Sequence, residues 1–174
     1  MNSKERVRRA LTRAGMPDRA PIQFDLCAGL LEAFWAQYGL EPDYSPAYYE
    51  DLKYRISANE LRTRMGSDAV VVGAGLAEGF DLVEGADGLI TNEFGMKMRQ
   101  GPLYMEVVSS PLRGATRDDV AAYRFPDPHD PARYRRAEQD IARFGDDFFV
   151  IGDCELTMFE LNWHLVGMEQ YMLD

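Results

Sequence analysis

Two short runs that are apolar at every position constrain the fold of this chain more than any other feature. They cover residues 69–72 (AVVV) and 148–151 (FFVI). A strand with one wet face alternates apolar and polar residues, whereas a continuous apolar run is typical of a strand covered on both faces. The two runs therefore predict parallel strands in an α/β protein, with helices packed against the sheet.

Segments with helical spacing precede and separate these strands. Each begins near a capping residue or proline and ends near a glycine, and the predicted helices cover residues 3–14, 28–38, 47–65 and 130–144. The third carries a possible break near residues 57–59. Residues 21–26 are the candidate for a first strand. Together these segments predict about three strand–helix units with right-handed crossovers.

The pattern changes between residues 88 and 111, where short β-prone segments are separated by Gly95, Gly101 and Pro102. This predicts an antiparallel hairpin or ribbon inserted between two strand units. After it, Thr116 is expected to cap a short helical turn. A closed (β/α)₈ barrel typically needs about 250 residues, so a chain of 174 residues can be part of such a barrel but not a whole one.

Composition narrows the class of function. The formal net charge of −10 disfavours nonspecific binding to nucleic acid or to an anionic membrane, and no segment has the length of apolar sequence that a membrane span requires. Cys27 and Cys154 are too few for a disulfide framework, which indicates a reducing compartment, and we expect the cytoplasm. A small-molecule ligand is the expected partner.

Polar residues follow the second apolar run directly, where the predicted strand ends. There Gly152 gives way to Asp153, Cys154 and Glu155, and ligands of α/β proteins bind beyond the carboxyl ends of strands. These side chains offer two carboxylates and a thiol that can bind a cation, orient a substrate or act as acid and base. The alternative is that they are solvated loop acids or favour a helix N-terminus. Asp25, on the first strand candidate, would face the same cleft.

Glu93 and Arg99 are weaker candidates. Their opposite charges on the predicted ribbon favour an exposed ion pair of small energetic weight over a ligand-binding role. No metal site is predicted within this chain, because His164 follows Cys154 by ten positions, a spacing that fits neither a zinc knuckle nor a helical histidine pair. The sequence alone assigns no catalytic residue.

Several short phrases occur in an order and spacing that resemble a known family. They are NSKERVRRAL, PDRAPI, CAG, SDAVVVGAG, TNEFGMKMR and FPDP. In this order they resemble the N-terminal half of the uroporphyrinogen decarboxylase superfamily, which includes haem-pathway decarboxylases and corrinoid-dependent methyltransferases. The resemblance implies that residues 1–174 form the N-terminal part of a (β/α)₈ TIM-type barrel with an inserted β-hairpin, and that the C-terminal half is absent from this chain.

Departures from the family pattern favour one branch. Ala28 and Gly29 match the phrase that closes the first strand of the decarboxylases, but Leu26 and Leu30 stand where its substrate-gripping arginines belong. Gly75 stands at the position of the catalytic aspartate. A substrate with many carboxylates needs cationic partners, so the resemblance is closer to the methyltransferases. In these, a zinc ion activates a thiol for methyl transfer to or from a corrinoid, and the zinc ligands lie in the C-terminal half.

Three functional hypotheses follow. The first is that the full-length protein acts on a corrinoid or related tetrapyrrole by methyl transfer, with Asp25, Asp153 and Glu155 lining the cleft. The second is decarboxylation of uroporphyrinogen in porphyrin biosynthesis, without a cofactor. The third is a non-catalytic half-barrel that forms a homo-oligomer through unpaired strand edges. Under the first two, the full-length form is an enzyme, a methyltransferase or a carboxy-lyase, and this chain alone is expected to be inactive.

Overall fold

Helices and strands alternate along the chain in the computed structural model, which describes residues 1–47, 50–101, 105–155 and 158–173. The strands are β1 Ala69–Gly73, β2 Ile90–Thr91, β3 Lys97–Gln100, β4 Met105–Ser109 and β5 Phe149–Asp153. The helices are α1 Ser3–Thr12, α2 Ala28–Tyr38, α3 Glu50–Ile56, α4 Asn59–Arg64, α5 Arg117–Ala122, α6 Arg135–Phe144, α7 Met158–Val166 and α8 Met168–Leu173, and a 3-10 turn, Pro131–Tyr134, precedes α6. The protein is therefore of mixed α/β architecture.

The two apolar runs form β1 and β5, which pair in parallel as predicted. Val71 lies beside Ile151 in the register, and the Phe149 amide donates to the Asp68 carbonyl oxygen just before β1. The side chains of β1 are buried from Ala69 to Val72, whereas those of β5 are mostly half-buried. Only β1 therefore has the complete cover that a continuous apolar run predicts.

The chain divides into two compact units. The first unit comprises Met1–Ala47, Leu52–Gly75 and Tyr134–Asp153, and it contains the β1–β5 pair. The second unit consists mainly of Leu76–Arg133 and Cys154–Asp174, and it contains the antiparallel sheet β2–β3–β4. The predicted ribbon is thus confirmed, although Tyr104 lies outside the described residues.

Local signals place the helices of the first unit well. The Asn2 side chain accepts a hydrogen bond from the Glu5 amide at 2.9 Å, and α2 ends at Gly39, whose φ of 62° is in the left-handed region. The pattern at residues 47–65 is two helices, α3 and α4, because Ala58 between them has a φ of 58°. The break predicted near residues 57–59 is confirmed, and residues 48–49 of that pattern lie outside the described residues.

The prediction of a first strand at residues 21–26 is wrong. This segment has irregular backbone, and it joins β1 only at its start, where the Asp68 amide donates to the Ile22 carbonyl oxygen at 2.7 Å. Its apolar residues still contribute to packing, since Leu26 is buried in the core of the first unit. The apolar residues of this segment thus correctly indicated that part of it is buried, but they did not indicate whether it pairs as a strand.

Side chains occupy the edge of β1 where such a strand would pair. The Asn59 amide donates to the Val71 carbonyl oxygen at 2.9 Å and accepts from the Val71 amide at 3.0 Å. The Ser67 hydroxyl bonds both backbone groups of Ala69, at 2.8 and 3.3 Å. Because backbone groups alternate between the two edges of a strand, these bonds satisfy the edge opposite β5.

The core of the first unit lies between α2 and α4. Its buried members are Leu26, Leu31, Trp35, Ala58 and Leu61. The ring of Trp35 packs edge-on against Tyr44 with 4.9 Å between centroids, a geometry favoured by aromatic quadrupoles.

Asp68, at the amino end of β1, is fully buried and ties the start of the chain to the sheet. Its carboxylate accepts hydrogen bonds from Ser3 Oγ at 2.7 Å, Arg6 Nη1 at 2.6 Å, Arg19 Nη1 at 2.6 Å and the Ile22 amide at 2.9 Å. Arg19 Nη2 donates as well, at 2.9 Å, so that both carboxylate oxygens accept more than one hydrogen bond. A buried charge is tolerated here because it is paired and fully hydrogen-bonded.

The second unit has its own core beneath the antiparallel sheet. Met96, Met98, Leu112 and Leu165 are buried together there, so that α7 packs against the ribbon. The predicted Thr116 cap is confirmed: its hydroxyl accepts from the Asp119 amide, and the Asp119 carboxylate accepts from the Thr116 amide. Within the described residues, no helix has the length and apolar character needed to cross a membrane.

Replacing Asp68 by asparagine should destabilise the first unit by about 3 kcal/mol, because Arg6 and Arg19 lose the buried anion that they share, while Asp18 still pairs with Arg6. The measurement is urea unfolding followed by Trp35 fluorescence in a Trp163→Phe background, since Trp35 lies in the first unit and Trp163 in the second. Asp146→Asn is the matched control, because Asp146 is an exposed acid of the same unit and its replacement should leave the unfolding midpoint nearly unchanged. Equal effects of the two substitutions would contradict the role given to Asp68.

Acid should weaken the same connection. Burial alone would raise the pKa of Asp68, but the hydrogen bonds from Arg19, the Ile22 amide, Ser3 and Arg6 outweigh it and lower that pKa. A lowered folded-state pKa contributes stability that is fully present above the unfolded pKa of about 4 and is lost as the pH falls through the folded-state value. Unfolding free energies measured between neutral pH and acid should fall more steeply in the wild type than in Asp68→Asn.

Candidate functional site

Asp153 ends β5, as the sequence predicts, and stands beside Gly73 at the end of β1. Its carboxylate lies 3.4 Å from Arg55 Nη1, and 19% of its side chain is exposed. The charged groups of this pair therefore lie at the carboxyl edge of the parallel strands, where α/β proteins bind ligands.

Asp25 lies on the irregular segment before α2 and is exposed over 47% of its side chain. Its carboxylate accepts from Gln23 Nε2 at 3.1 Å and lies 3.3 Å from Arg62 Nη1. The loss of the predicted strand thus changes the backbone that carries Asp25 but leaves its carboxylate open to a ligand.

Arg62 connects the two aspartates. Its guanidinium is 2% exposed and donates to the Ser57 carbonyl oxygen at 2.8 Å, to Asn59 Oδ1 at 2.9 Å and to the carbonyl oxygen of Arg55. The side chain of Arg55 in turn pairs with Asp153, so Asp25 and Asp153 are linked through Arg62, the backbone carbonyl group of Arg55 and the Arg55 side chain. We call these four residues the carboxylate network.

The buried position of Arg62 perturbs its ionisation. Desolvation lowers the pKa of Arg62 to about 10, against the opposing charges of Asp25 and Asp140, so the side chain is still cationic at neutral pH. Its Nε has no hydrogen-bond partner among the described residues. A cation held this deeply restricts where the carboxylate of Asp25 can lie, because moving the two charges apart would leave Arg62 uncompensated.

A second layer supports this network. Asn59 Nδ2 donates to the buried carboxylate of Asp140 at 2.9 Å, and Asp140 also lies 3.2 Å from Arg136 Nε. Arg136 forms a bidentate pair with Asp43, at 2.8 and 2.6 Å. Polar side chains of α4 and α6 therefore hold the helix that carries Arg62 in a fixed position against β1.

Cys154 and Glu155 follow Asp153 directly but belong to the second unit. Cys154 is exposed with a free thiol, and Glu155 is half-buried. Among the described residues, no three or more His, Cys, Asp or Glu side chains lie close enough together to hold a metal ion. The structure thus joins two of the four predicted cleft residues, Asp25 and Asp153, in one network.

Glu93 and Arg99 do not form the exposed pair that the sequence favours. Glu93 is 3% exposed and forms a bidentate pair with Arg133, at 2.7 and 2.5 Å, which fixes the ribbon to the segment before α6. Arg99 is exposed on β3 opposite Glu106. The expectation was wrong for Glu93 because its partner, Arg133, is 40 residues away. The residues around Glu93 give no sign of this partner.

Sequence reasoning missed Arg55, Arg62 and Asn59, which position the two aspartates. A weak signal exists for two of them: Asn59 and Arg62 are three residues apart, so in a helix they share a face and flank the apolar Leu61. A polar residue at a buried periodic position requires a partner. The partner itself, the edge of β1 or Asp25, cannot be read from spacing.

Comparisons with known proteins returned no relative: no protein-family model, no curated protein and no solved structure matches this chain.

Replacing Arg62 by methionine should destabilise the first unit by about 3 kcal/mol, because the carbonyl groups of Arg55 and Ser57 lose their donor within a buried site. Urea unfolding followed by Trp35 fluorescence measures the change. Arg64→Met, on the same helix, is the control: Arg64 is exposed and pairs only with Glu60 one turn away, so its loss should cost less than about 0.5 kcal/mol. An Arg62→Met variant as stable as the control would show that the network does not hold α4 in place.

Proposed function

We propose that this chain is part of an α/β protein of the uroporphyrinogen decarboxylase superfamily that binds a corrinoid or related tetrapyrrole, and that its full-length form transfers a methyl group. The observation that carries the proposal is the carboxylate network at the carboxyl edge of the parallel strands. The proposed family rests on the short phrases of the sequence and on their order. The parallel β1–β5 pair is consistent with the N-terminal part of a (β/α)₈ barrel.

The charges of the network favour one class of tetrapyrrole over another. Uroporphyrinogen carries carboxylates around its rim, whereas a corrinoid carries mainly amides. Asp25 and Asp153 present acceptor oxygens that suit amide N–H donors and repel carboxylates. The neighbouring arginines are already engaged, Arg62 with three backbone or side-chain acceptors and Arg55 with Asp153. Within the carboxylate network, both arginines are therefore already paired with acceptors, which disfavours a polycarboxylate ligand.

The roles of the chain's own residues in this proposal are binding and orientation. A corrinoid, when bound, supplies the cobalt that carries the methyl group. The exposed carboxylate of Asp25 would accept hydrogen bonds from peripheral amides, and Arg62 would hold that carboxylate in position from behind. The described residues contain no set of ligands that fits zinc. The proposal therefore gives this chain no role in binding a metal ion.

Cobalamin binding tests the proposal on the chain of 174 residues. Titration of hydroxocobalamin, followed by its absorption spectrum and by equilibrium dialysis, should give saturable binding. Asp25→Asn and Asp153→Asn should each weaken it by about tenfold, since a hydrogen bond to a charged acceptor is worth about 1.5 kcal/mol. Asp146→Asn, which removes an exposed acid of the first unit, should leave the affinity unchanged.

A parallel titration with uroporphyrin, the stable oxidised form of the polycarboxylate substrate, separates the branches of the superfamily. Saturable uroporphyrin binding without cobalamin binding would replace the methyltransferase proposal with the decarboxylase alternative. Binding of neither ligand would overturn the tetrapyrrole proposal. Circular dichroism of each variant confirms that a lost affinity does not reflect a lost fold.

A further inference from the structure

Large apolar side chains are exposed where α7 begins and α8 ends. Met158 is 83% exposed, Phe159 51%, Met172 67% and Leu173 76%. We call these four residues the α7–α8 patch. Isolated exposed apolar residues are ordinary on protein surfaces, but a contiguous group of this kind marks an interaction surface.

The geometry of the two helices makes the patch contiguous. Gly167, with a φ of 95°, reverses the chain between α7 and α8, and the rings of Phe159 and Tyr171 are 5.6 Å apart. The beginning of α7 therefore lies beside the end of α8. Leu165, near the end of α7, is buried against Met96, Met98 and Leu112. The core of the second unit thus covers the later part of α7 and leaves its first residues, Met158 and Phe159, exposed.

Negative charge predominates around the patch, although the guanidinium of Arg113 lies beside Gly167, between α7 and α8. Residues 154–174 contain Glu155, Glu160, Glu169 and Asp174 but neither lysine nor arginine. The wider second unit has 16 acidic and 6 basic residues, whereas the first unit has 13 of each. The entire net charge of −10 therefore belongs to the second unit, which contains the patch.

We infer that the α7–α8 patch is a docking surface for a basic amphipathic helix of a partner protein. The seam between two helices accepts the apolar face of a third helix, and methionine side chains adapt to different partners. Surrounding carboxylates attract lysine and arginine on the polar face of such a helix and speed its association. A second copy of this chain is disfavoured as the occupant, because it would bring the same negative charge to the contact.

A designed peptide tests this surface on the 174-residue chain. The peptide has about 18 residues, with leucine at positions i, i+3, i+4 and i+7 and lysine elsewhere. Binding is measured by Trp163 fluorescence in a Trp35→Phe background and by titration calorimetry. Saturable one-to-one binding is expected for this peptide, and little binding for a scrambled peptide of the same composition, because scrambling removes the apolar face but keeps the charge.

Paired variants separate the patch from nonspecific attraction. Met172→Ser with Leu173→Ser should weaken peptide binding by about tenfold or more, whereas Val83→Ser, which changes another exposed side chain of the second unit, should not. Glu160→Gln with Glu169→Gln should reduce the salt dependence of binding.

Three results would overturn the inference. The first is equal affinity for the designed and scrambled peptides. The second is an equal loss of affinity in the Val83→Ser control. The third is a dimer, detected by sedimentation, that dissociates when Met172 and Leu173 are replaced, because a second copy would then occupy the patch.

Discussion

One buried carboxylate holds the first unit together. Asp68 connects α1 through Ser3 and Arg6, and the following irregular segment through Arg19 and Ile22. Its own carbonyl accepts from β5, so a single residue links two strands, a helix and a loop that are separated in sequence. Two of the donor residues lie on α1 and two on the irregular segment. The amino end of the parallel pair is therefore held by hydrogen bonds and paired charges, and the proposed site lies at the opposite end of the same strands.

The carboxyl end is organised by the reverse arrangement, in which a buried cation positions exposed anions. Arg62 is almost inaccessible, while nearly half of the Asp25 side chain is exposed. Burying the cation is costly, and the cost is offset by acceptors from Ser57 and Asn59 together with Asp25. A buried ion pair adds little net stability compared with apolar residues of the same size. This arrangement therefore suggests a functional site more than a role in stabilising the fold.

The sequence predicted the features that depend on local chemistry. The two apolar runs, the Asn2 and Thr116 caps and the break at Ala58 are all present in the structure. The failures concern contacts between distant residues. Residues 21–26 looked like a strand because their apolar content indicates burial, but pairing is decided by what occupies the neighbouring edge. Glu93 was expected at the surface because its partner, Arg133, is 40 residues away.

The sequence predicted part of the candidate site. Asp153 was predicted because it follows an apolar strand. Asp25 was also predicted, although its segment was wrongly expected to be a strand. Arg55 and Arg62 were missed because a helical arginine is usually solvated, and only the fold shows that Arg62 points inward. The roles of Cys154 and Glu155 remain predictions: the structure shows that Cys154 is exposed and Glu155 half-buried.

The edge of β1 has a further meaning for any larger assembly of this protein. Asn59 imitates the backbone of a neighbouring strand, because its amide both donates to and accepts from Val71. On that side the sheet is terminated by a side chain, and not by the end of a strand segment. In a closed barrel every strand is paired on both edges, so closure would require Asn59 and Ser67 to release β1. Without that exchange, an additional strand can join this parallel sheet only beside β5.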